Sequence, residues 1–218
     1  MKVAALYDIH GNLPALDAVL AEIDADAIVV GGDVVGRGQP AEVLTRLQGL
    51  DNVHWLRGNS ERELVDPGPP REGGPPPGSA EEIRALLTAE QLDFVFRLPE
   101  HVTLEVGGLG EVLFCHATPR NDYEIFTILS PDERVRELMG GVPQRVVVCG
   151  HTHVQDERRV GDYRIVNAGS VGMPYEDAPG AYWALLGPDV ELRRTEYEGM
   201  PKPEAGRDEA SSYFESIA

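Results

Sequence analysis

Seven side chains able to hold a metal ion fall at the ends of apolar runs: Asp8, His10, Asp33, Asn59, His116, His151 and His153. Four of the six histidines belong to this set, leaving only His54 and His101 elsewhere. Imidazole nitrogens combined with carboxylate and amide oxygens suit borderline divalent ions such as Mn, Fe, Co, Ni or Zn. Seven such groups exceed the needs of one tetrahedral site and match two ions that share a ligand. Taken alone, Asp8-Ile9-His10 would be an ordinary capping carboxylate beside a surface histidine, so its weight comes from recurrence with the others. The two-residue spacing aims both side chains the same way from the carboxyl end of a strand, where ligands bind in α/β sheets.

The elements that must position these groups are legible as alternating strands and helices. Val3 to Leu6 reads as a buried strand, and Leu13, Leu16, Val19, Leu20 and Ile23 recur at helical spacing behind an Asn12 cap. A second apolar run, Ala27 to Val30, closes at Gly31-Gly32-Asp33; a helix from Pro40 ends at Gly49, and Val53 to Leu56 closes at Arg57-Gly58-Asn59. This β-α-β-α-β succession argues for α/β layering. Residues 66–78 are mostly Pro and Gly and read as an exposed loop. Two capping boxes follow, Ser79 with Glu82 and Thr88 with Gln91, so residues 66–100 are expected to form a small helical insert, either a lid or a packing element. Val102 to Val106 and Glu111 to Cys115 flank a glycine-rich hairpin turn. Ser130-Pro131-Asp132-Glu133 opens a capped helix, and Arg145 to Cys149 is a β-branched strand ending at Gly150-His151. The four runs from Val154 to Glu196 read as an antiparallel succession. Residues 1–198 are thus expected to form one domain and residues 199–218 a polar tail, with Tyr213 and Phe214 as anchors.

The net charge of -18 repels long polyanions, so a nucleic-acid polymer is not an expected partner. A local cationic centre would still attract a small phosphate. No apolar run approaches membrane-spanning length, and the N-terminus leads directly into a strand, which gives a cytoplasmic expectation. Cys115 and Cys149 form no zinc signature and read as buried strand thiols rather than redox switches.

The combined pattern resembles the calcineurin-like metallophosphoesterase family. Its elements stand in order as Asp8-Ile9-His10, Gly32-Asp33, Gly58-Asn59, His116 and Gly150-His151-Thr152-His153, and Asn167-Ala168-Gly169-Ser170-Val171-Gly172 resembles a strand-end turn of bacterial phosphodiesterase members. The resemblance implies a four-layer α/β/β/α sandwich of two mixed sheets. It also implies two divalent transition-metal ions, Mn first with Fe, Ni, Co or Zn as alternatives. Asp8, His10 and His153 would hold one ion, Asn59, His116 and His151 the other, and Asp33 would bridge them. Arg37 keeps the position that grips phosphate, so Asp33, Asn59 and Arg37 form the implied catalytic set. The implied substrate is a small phosphate ester or nucleotide, cut as a phosphodiester or, alternatively, as a phosphoanhydride; a protein phosphatase, a non-catalytic scaffold and a metal-storing or sensing module are the further alternatives. The chain departs from the better-known phosphatases of the family at Ser60 and Gly36, where those enzymes carry the histidine that protonates the leaving oxygen and its carboxylate partner. A hydroxyl has no acidity near pH 7, so poor leaving groups should react slowly. Arg57 and Arg120, beside ligand positions, are expected to be solvated or structural.

Overall fold

The computed structural model describes residues 1–65, 79–202 and 205–218. Five strands form the first sheet: β1 (Val3–Leu6), β2 (Ala27–Gly31), β3 (Val53–Leu56), β9 (Ala181–Leu186) and β10 (Val190–Thr195), in the order β10-β9-β1-β2-β3. The second contains β4 (His101–Val106), β5 (Gly110–Cys115), β6 (Val146–Cys149), β7 (Asp156–Val160) and β8 (Tyr163–Asn167), in the order β4-β5-β6-β8-β7. Each sheet mixes pairings. β1 runs parallel to β2 and antiparallel to β9, while β6 runs parallel to β5 and β8.

Alternation along the strands divides the core into three apolar layers. Val3, Ala5 and Tyr7 face Phe114, Val148 and Val166 across the gap between the sheets. Ala4 and Leu6 face the opposite way, onto α1 (Leu13–Glu22) and α2 (Pro40–Gln48) through Leu16, Val19, Leu44 and Leu47. On the far side of the second sheet, Val147, Cys149 and Ile165 pack against Val135, Leu138 and Met139 at α6 (Asp132–Leu138). Central strands are buried on both faces, which is why they read as unbroken apolar runs. The expected α/β/β/α sandwich is the observed fold.

Several local expectations hold in detail. Asn12 caps α1 by accepting from the Ala15 N–H, and Gly49 ends α2. Ser79 caps α4 (Ala80–Leu86), and Thr88 with Gln91 closes both halves of a capping box on α5 (Ala89–Phe96). Ile83, Leu87 and Val95 of this pair pack into the helical face of the first sheet, and Ile83 also lines the cleft beside the candidate site. The Pro/Gly-rich stretch 66–78 lies outside the described residues.

Four expectations are corrected. The last four strands are not one antiparallel succession: β7-β8 is a hairpin in the second sheet and β9-β10 one in the first. The chain crosses between sheets at residues 168–180, where the Val171 and Gly172 N–H groups bond Tyr7 and Asp8 carbonyls and so seat the crossing beneath β1. Asn59 does not merely close a strand but starts α3 (Asn59–Val65), only Arg57 and Gly58 separating it from β3. Ser130 does not cap α6: Pro131 holds that position, and the Ser130 hydroxyl accepts from the Thr127 N–H and donates to Glu215. The segment read as a polar tail carries α7 (Arg207–Ile217), with Ala210 and Ser211 buried; of its two expected anchors Phe214 is half-buried, whereas Tyr213 is 60% exposed. Among the described residues, no helix is long and apolar enough to cross a membrane.

Candidate metal centre

The crossing of β1, β2, β5 and β6 ends brings the seven selected side chains to one edge of the sandwich. Asp8 and His10 follow β1, Asp33 follows β2, Asn59 opens α3, His116 follows β5, and His151 and His153 follow β6. Six described non-glycine residues have left-handed backbone, and five of them are Asp8 (φ 53°), His10 (47°), Asp33 (49°), His151 (69°) and His153 (58°). Such conformations cost of order 1 kcal/mol each and persist only where the surroundings over-determine them. Here the surroundings do so: Asp8 N–H donates to Gly32 O at 3.1 Å, His10 N–H to Asp33 O at 2.9 Å, and the Asp8 carbonyl accepts from Gly172 N–H at 3.0 Å.

Five imidazole and carboxylate groups converge tightly. His10 Nε2 and His153 Nε2 lie 3.1 Å apart, and Asp8 Oδ1 lies 3.3 Å from His153 Nε2, 3.8 Å from His10 Nε2 and 3.9 Å from His116 Nε2. Asp8 and Asp33 both stand between the halves of the site: Asp33 Oδ2 is 3.7 Å from His10 Nε2 and its Oδ1 is 3.5 Å from His116 Nε2. Two ligand-like groups result, Asp8 with His10 and His153, and Asp8 with Asp33 and His116. Asn59 Oδ1 adjoins the second group, 3.1 Å from His116 Nε2. His151 belongs to neither three-residue group and meets the site by its ring, 5.1 Å from that of His116.

The outward ring nitrogens are fixed by backbone. His116 Nδ1 lies 2.9 Å from Gly31 O and His153 Nδ1 lies 2.7 Å from Met173 O, an arrangement that leaves each Nε2 facing the carboxylates, as in metal-binding histidines. Burial opposes charge throughout this pocket. It lowers His10, and it lowers His151 to about 4 with help from the charge of His116. For His116 and His153 the adjacent Asp33 and Asp8 carboxylates outweigh burial and raise the pKa. For Asp8 the surrounding imidazoles, His153 foremost, outweigh burial and hold the carboxyl below its ordinary range.

Asp8 Oδ1 is a completely buried oxygen with no hydrogen-bond partner. Its twin, Oδ2, accepts from the His151 N–H at 2.8 Å. A buried acceptor left unmade costs about 1–3 kcal/mol. An oxygen so placed, with three Nε2 atoms within 3.9 Å, suits a bound cation; without one, a protonated His153 ring 3.3 Å away is its nearest partner.

Three supporting residues had no assigned role in the sequence reasoning, although Asn167 and Ser170 lie in the turn it singled out. Glu61, 1% exposed, accepts backbone N–H bonds from Asp33 (2.7 Å), Val34 (2.9 Å), Val35 (3.1 Å) and Gly58 (2.8 Å), tying the β2 and β3 ends together. Burial and the Asp33 charge push it up to about 7, and the amide donors pull the other way. Ser170 Oγ donates to the Asp8 carbonyl, and Asn167 Nδ2 donates to Gly150 O, so the 167–172 turn pins both β1 and β6 ends. The two departures from the phosphatase pattern also have visible consequences. Ser60 lines the cleft and its N–H donates to Asp33 Oδ1 at 2.8 Å. Gly36 packs so closely that a Cβ would stand 2.7 Å from His10 Cα, which excludes any side chain there.

Beside the cluster opens a cleft of about 620 Å³, lined by His10, Asn12, Arg37, Ser60, Met173 and Tyr175 among others. Arg37 is exposed at its edge with no ion-pair partner among the described residues. Arg57 pairs with Glu100, and the half-exposed Arg120 with Glu124. Cys115 and Cys149 are buried free thiols pushed upward by burial, unlike reactive cysteines.

The fold, with this cluster of candidate ligands, is that of a metallophosphoesterase. Residues 1–187 match the calcineurin-like phosphoesterase superfamily domain, and the chain belongs to that family. A metallophosphoesterase from Sphaerobacter thermophilus is 25% identical, with a TM-score of 0.73 over 91% of this chain and 89% of that one. A hypothetical protein from Pyrococcus horikoshii superposes with a TM-score of 0.78 at 23% identity, again over 91% and 89% of the two chains. An uncharacterised protein of Methanocaldococcus jannaschii is 27% identical over 90% of this chain and 88% of its own.

Proposed function

We propose that this protein is a two-metal phosphodiesterase acting on small phosphate esters. The observation that carries the reading is the orphaned Asp8 oxygen, enclosed by imidazole nitrogens aimed at it. Asp8, His10 and His153 would hold one divalent cation and Asn59, His116 and His151 the other, with Asp33 between them; Mn is the first candidate, ahead of Fe, Ni, Co and Zn. When bound, such a pair supplies Lewis-acid polarisation of a phosphoryl oxygen and lowers the pKa of water toward neutrality.

The chain's own groups do the rest. Arg37 offers a guanidinium fork to non-bridging phosphoryl oxygens from the edge of the cleft. Asn12 also lines the cleft, its Nδ2 donating to Gly172 O at 3.0 Å and to the Tyr197 hydroxyl at 3.1 Å. His10 is the one cleft-lining group, among the described residues, with an ordinary pKa near neutrality, and it is already a candidate ligand. Among the described residues, no independent acid therefore lines the cleft to protonate a leaving alkoxide. Diesters and aryl esters, whose leaving groups need less help, are favoured. The same lack of an acid favours phosphoanhydrides as a second substrate class.

Metal-stripped protein reconstituted separately with Mn, Ni, Co, Fe and Zn tests the reading against an aryl phosphodiester and the matching monoester. Diester turnover exceeding monoester turnover, abolished by Asp33→Ala or Asn59→Ala, is expected. Near-normal diester turnover in either variant, or no turnover with any metal, would overturn it.

A further inference from the structure

Residues 188–218 lie beyond the family-matched segment, yet α7 reaches the candidate metal centre through a file of aromatic rings. The His153 imidazole stacks on Tyr175, with centroids 5.1 Å apart and planes at 15°. Tyr175 in turn meets Phe214 of α7 at 5.9 Å. Tyr175 also donates its backbone N–H to His153 O at 3.1 Å, and Met173 O holds His153 Nδ1. One short loop, residues 173–176, thus governs the ring plane, the outward nitrogen and the left-handed backbone of His153.

That loop is fixed on its far side by α7. Arg207 spans Asp156 at 3.6 Å and Glu176 at 3.7 Å, and Glu176 accepts from the Gln155 N–H at 2.6 Å. At the other end of the helix Glu215 accepts from the hydroxyls of Thr127 and Ser130 and lies 3.7 Å from Arg134. Anchored at both ends to different segments, with Phe214 pointing at Tyr175 between them, the helix has little freedom to shift. Groups that orient a ligating histidine in this way are worth about 10–100-fold in metal affinity.

We infer that α7 is a brace for the metal centre, and that Tyr175 and Phe214 are positioning residues for His153. The inference rests on the reading of His153 as a metal ligand. It makes a segment outside the matched family domain part of the functional machinery.

The test uses the full-length, metal-stripped chain, titrated calorimetrically with Mn²⁺ alone, together with the imidazole ¹⁵N resonances of His153 before metal is added. Phe214→Ala is expected to weaken one Mn²⁺ site about 10–100-fold and leave the other within about twofold. It is also expected to shift the metal-free His153 resonances, while Phe214→Tyr, which keeps the ring, restores both. Should Phe214→Ala fail to fold, Tyr175→Leu removes the stacked ring with α7 intact, and the same selective loss is expected. Wild-type affinity at both sites with unmoved His153 resonances would overturn the brace. So would an equal loss at both sites that merely tracks a lowered thermal midpoint. If the wild type takes up no Mn²⁺ at all, the functional reading fails, and the metal-free His153 resonances still decide the brace.

Discussion

Gly150→Ala is the most exacting single perturbation of the Asp8 geometry. Gly150 does not use left-handed backbone, so alanine brings no conformational strain, only a methyl group. That Cβ would stand 2.4 Å from Asp8 Oδ2 and 2.7 Å from Cδ1 of the fully buried Tyr7. Ordinary contact begins near 3.4 Å, so about 1.0 Å of movement is required (3.4 − 2.4). The backbone cannot supply it cheaply, because Gly150 N–H donates to His116 O at 2.9 Å and Gly150 O accepts from Asn167 at 2.8 Å. Asp8 must therefore move. Overpacking costs about 1–3 kcal/mol. Weakening the bond from His151 N–H to the Asp8 carboxylate adds about 1.5–3 kcal/mol, and the lost glycine freedom of the unfolded chain returns about 0.4–1 kcal/mol. The net expectation is a loss of about 2–5 kcal/mol, read by denaturant unfolding of the metal-free protein. Metal sites tolerate about 0.2 Å of ligand displacement, so Mn²⁺ affinity should fall at least about tenfold. A variant with stability within about 0.5 kcal/mol of wild type and undiminished Mn²⁺ affinity would refute the reasoning.

Other perturbations probe separate parts of the account. His151 is held at about 4 against an ordinary 6.5, so as pH falls below 6.5 the unfolded chain gains a proton that the folded one refuses. Between pH 6.5 and pH 5 the metal-free wild type should lose about 2 kcal/mol relative to His151→Gln, and parallel pH profiles of the two would contradict this. Glu61→Ala leaves four buried N–H donors without their acceptor, and at about 1–3 kcal/mol each the variant should lose most of its stability. A denaturation midpoint close to that of wild type would show that water replaces the carboxylate. Arg37→Ala should raise KM for an aryl phosphodiester about 10–100-fold with metal content unchanged, as expected for one lost charge-assisted contact. An unchanged KM would remove Arg37 from substrate binding.

The candidate site was legible because its residues recur at one structural position, the polar step that closes a buried strand. Asp8, Asp33, His116 and His151 each follow an apolar run that could only be a strand core; parallel pairing of β1 with β2 and of β5 with β6 brings them together within each sheet, and stacking of the two sheets brings both pairs to one edge of the sandwich. The framework that strains them was not legible. Left-handed backbone at Asp8 and His153 leaves no mark on residue type, since neither position uses glycine. Glu61 gave a charge one residue beyond a cleft-lining serine, and nothing local says that it turns inward to gather four amides from two strands. The jump from β8 to β9 between sheets was missed because hairpin periodicity is the same whichever sheet receives it; Ser170 and Gly172 seat it by contacts with residues some 160 positions earlier. Helix α7 was obscured by its polar composition, since most of its anchoring is ionic, through Arg207 and Glu215.

The central claim is that Asp8, His10, Asp33, Asn59, His116, His151 and His153 hold two cations. Anomalous scattering from crystals grown from Mn²⁺-reconstituted protein tests it most directly. Two peaks are expected within this cluster, one against Asp8, His10 and His153 and one against Asn59, His116 and His151, with Asp33 between them. A single peak, or peaks away from these residues, would contradict the account.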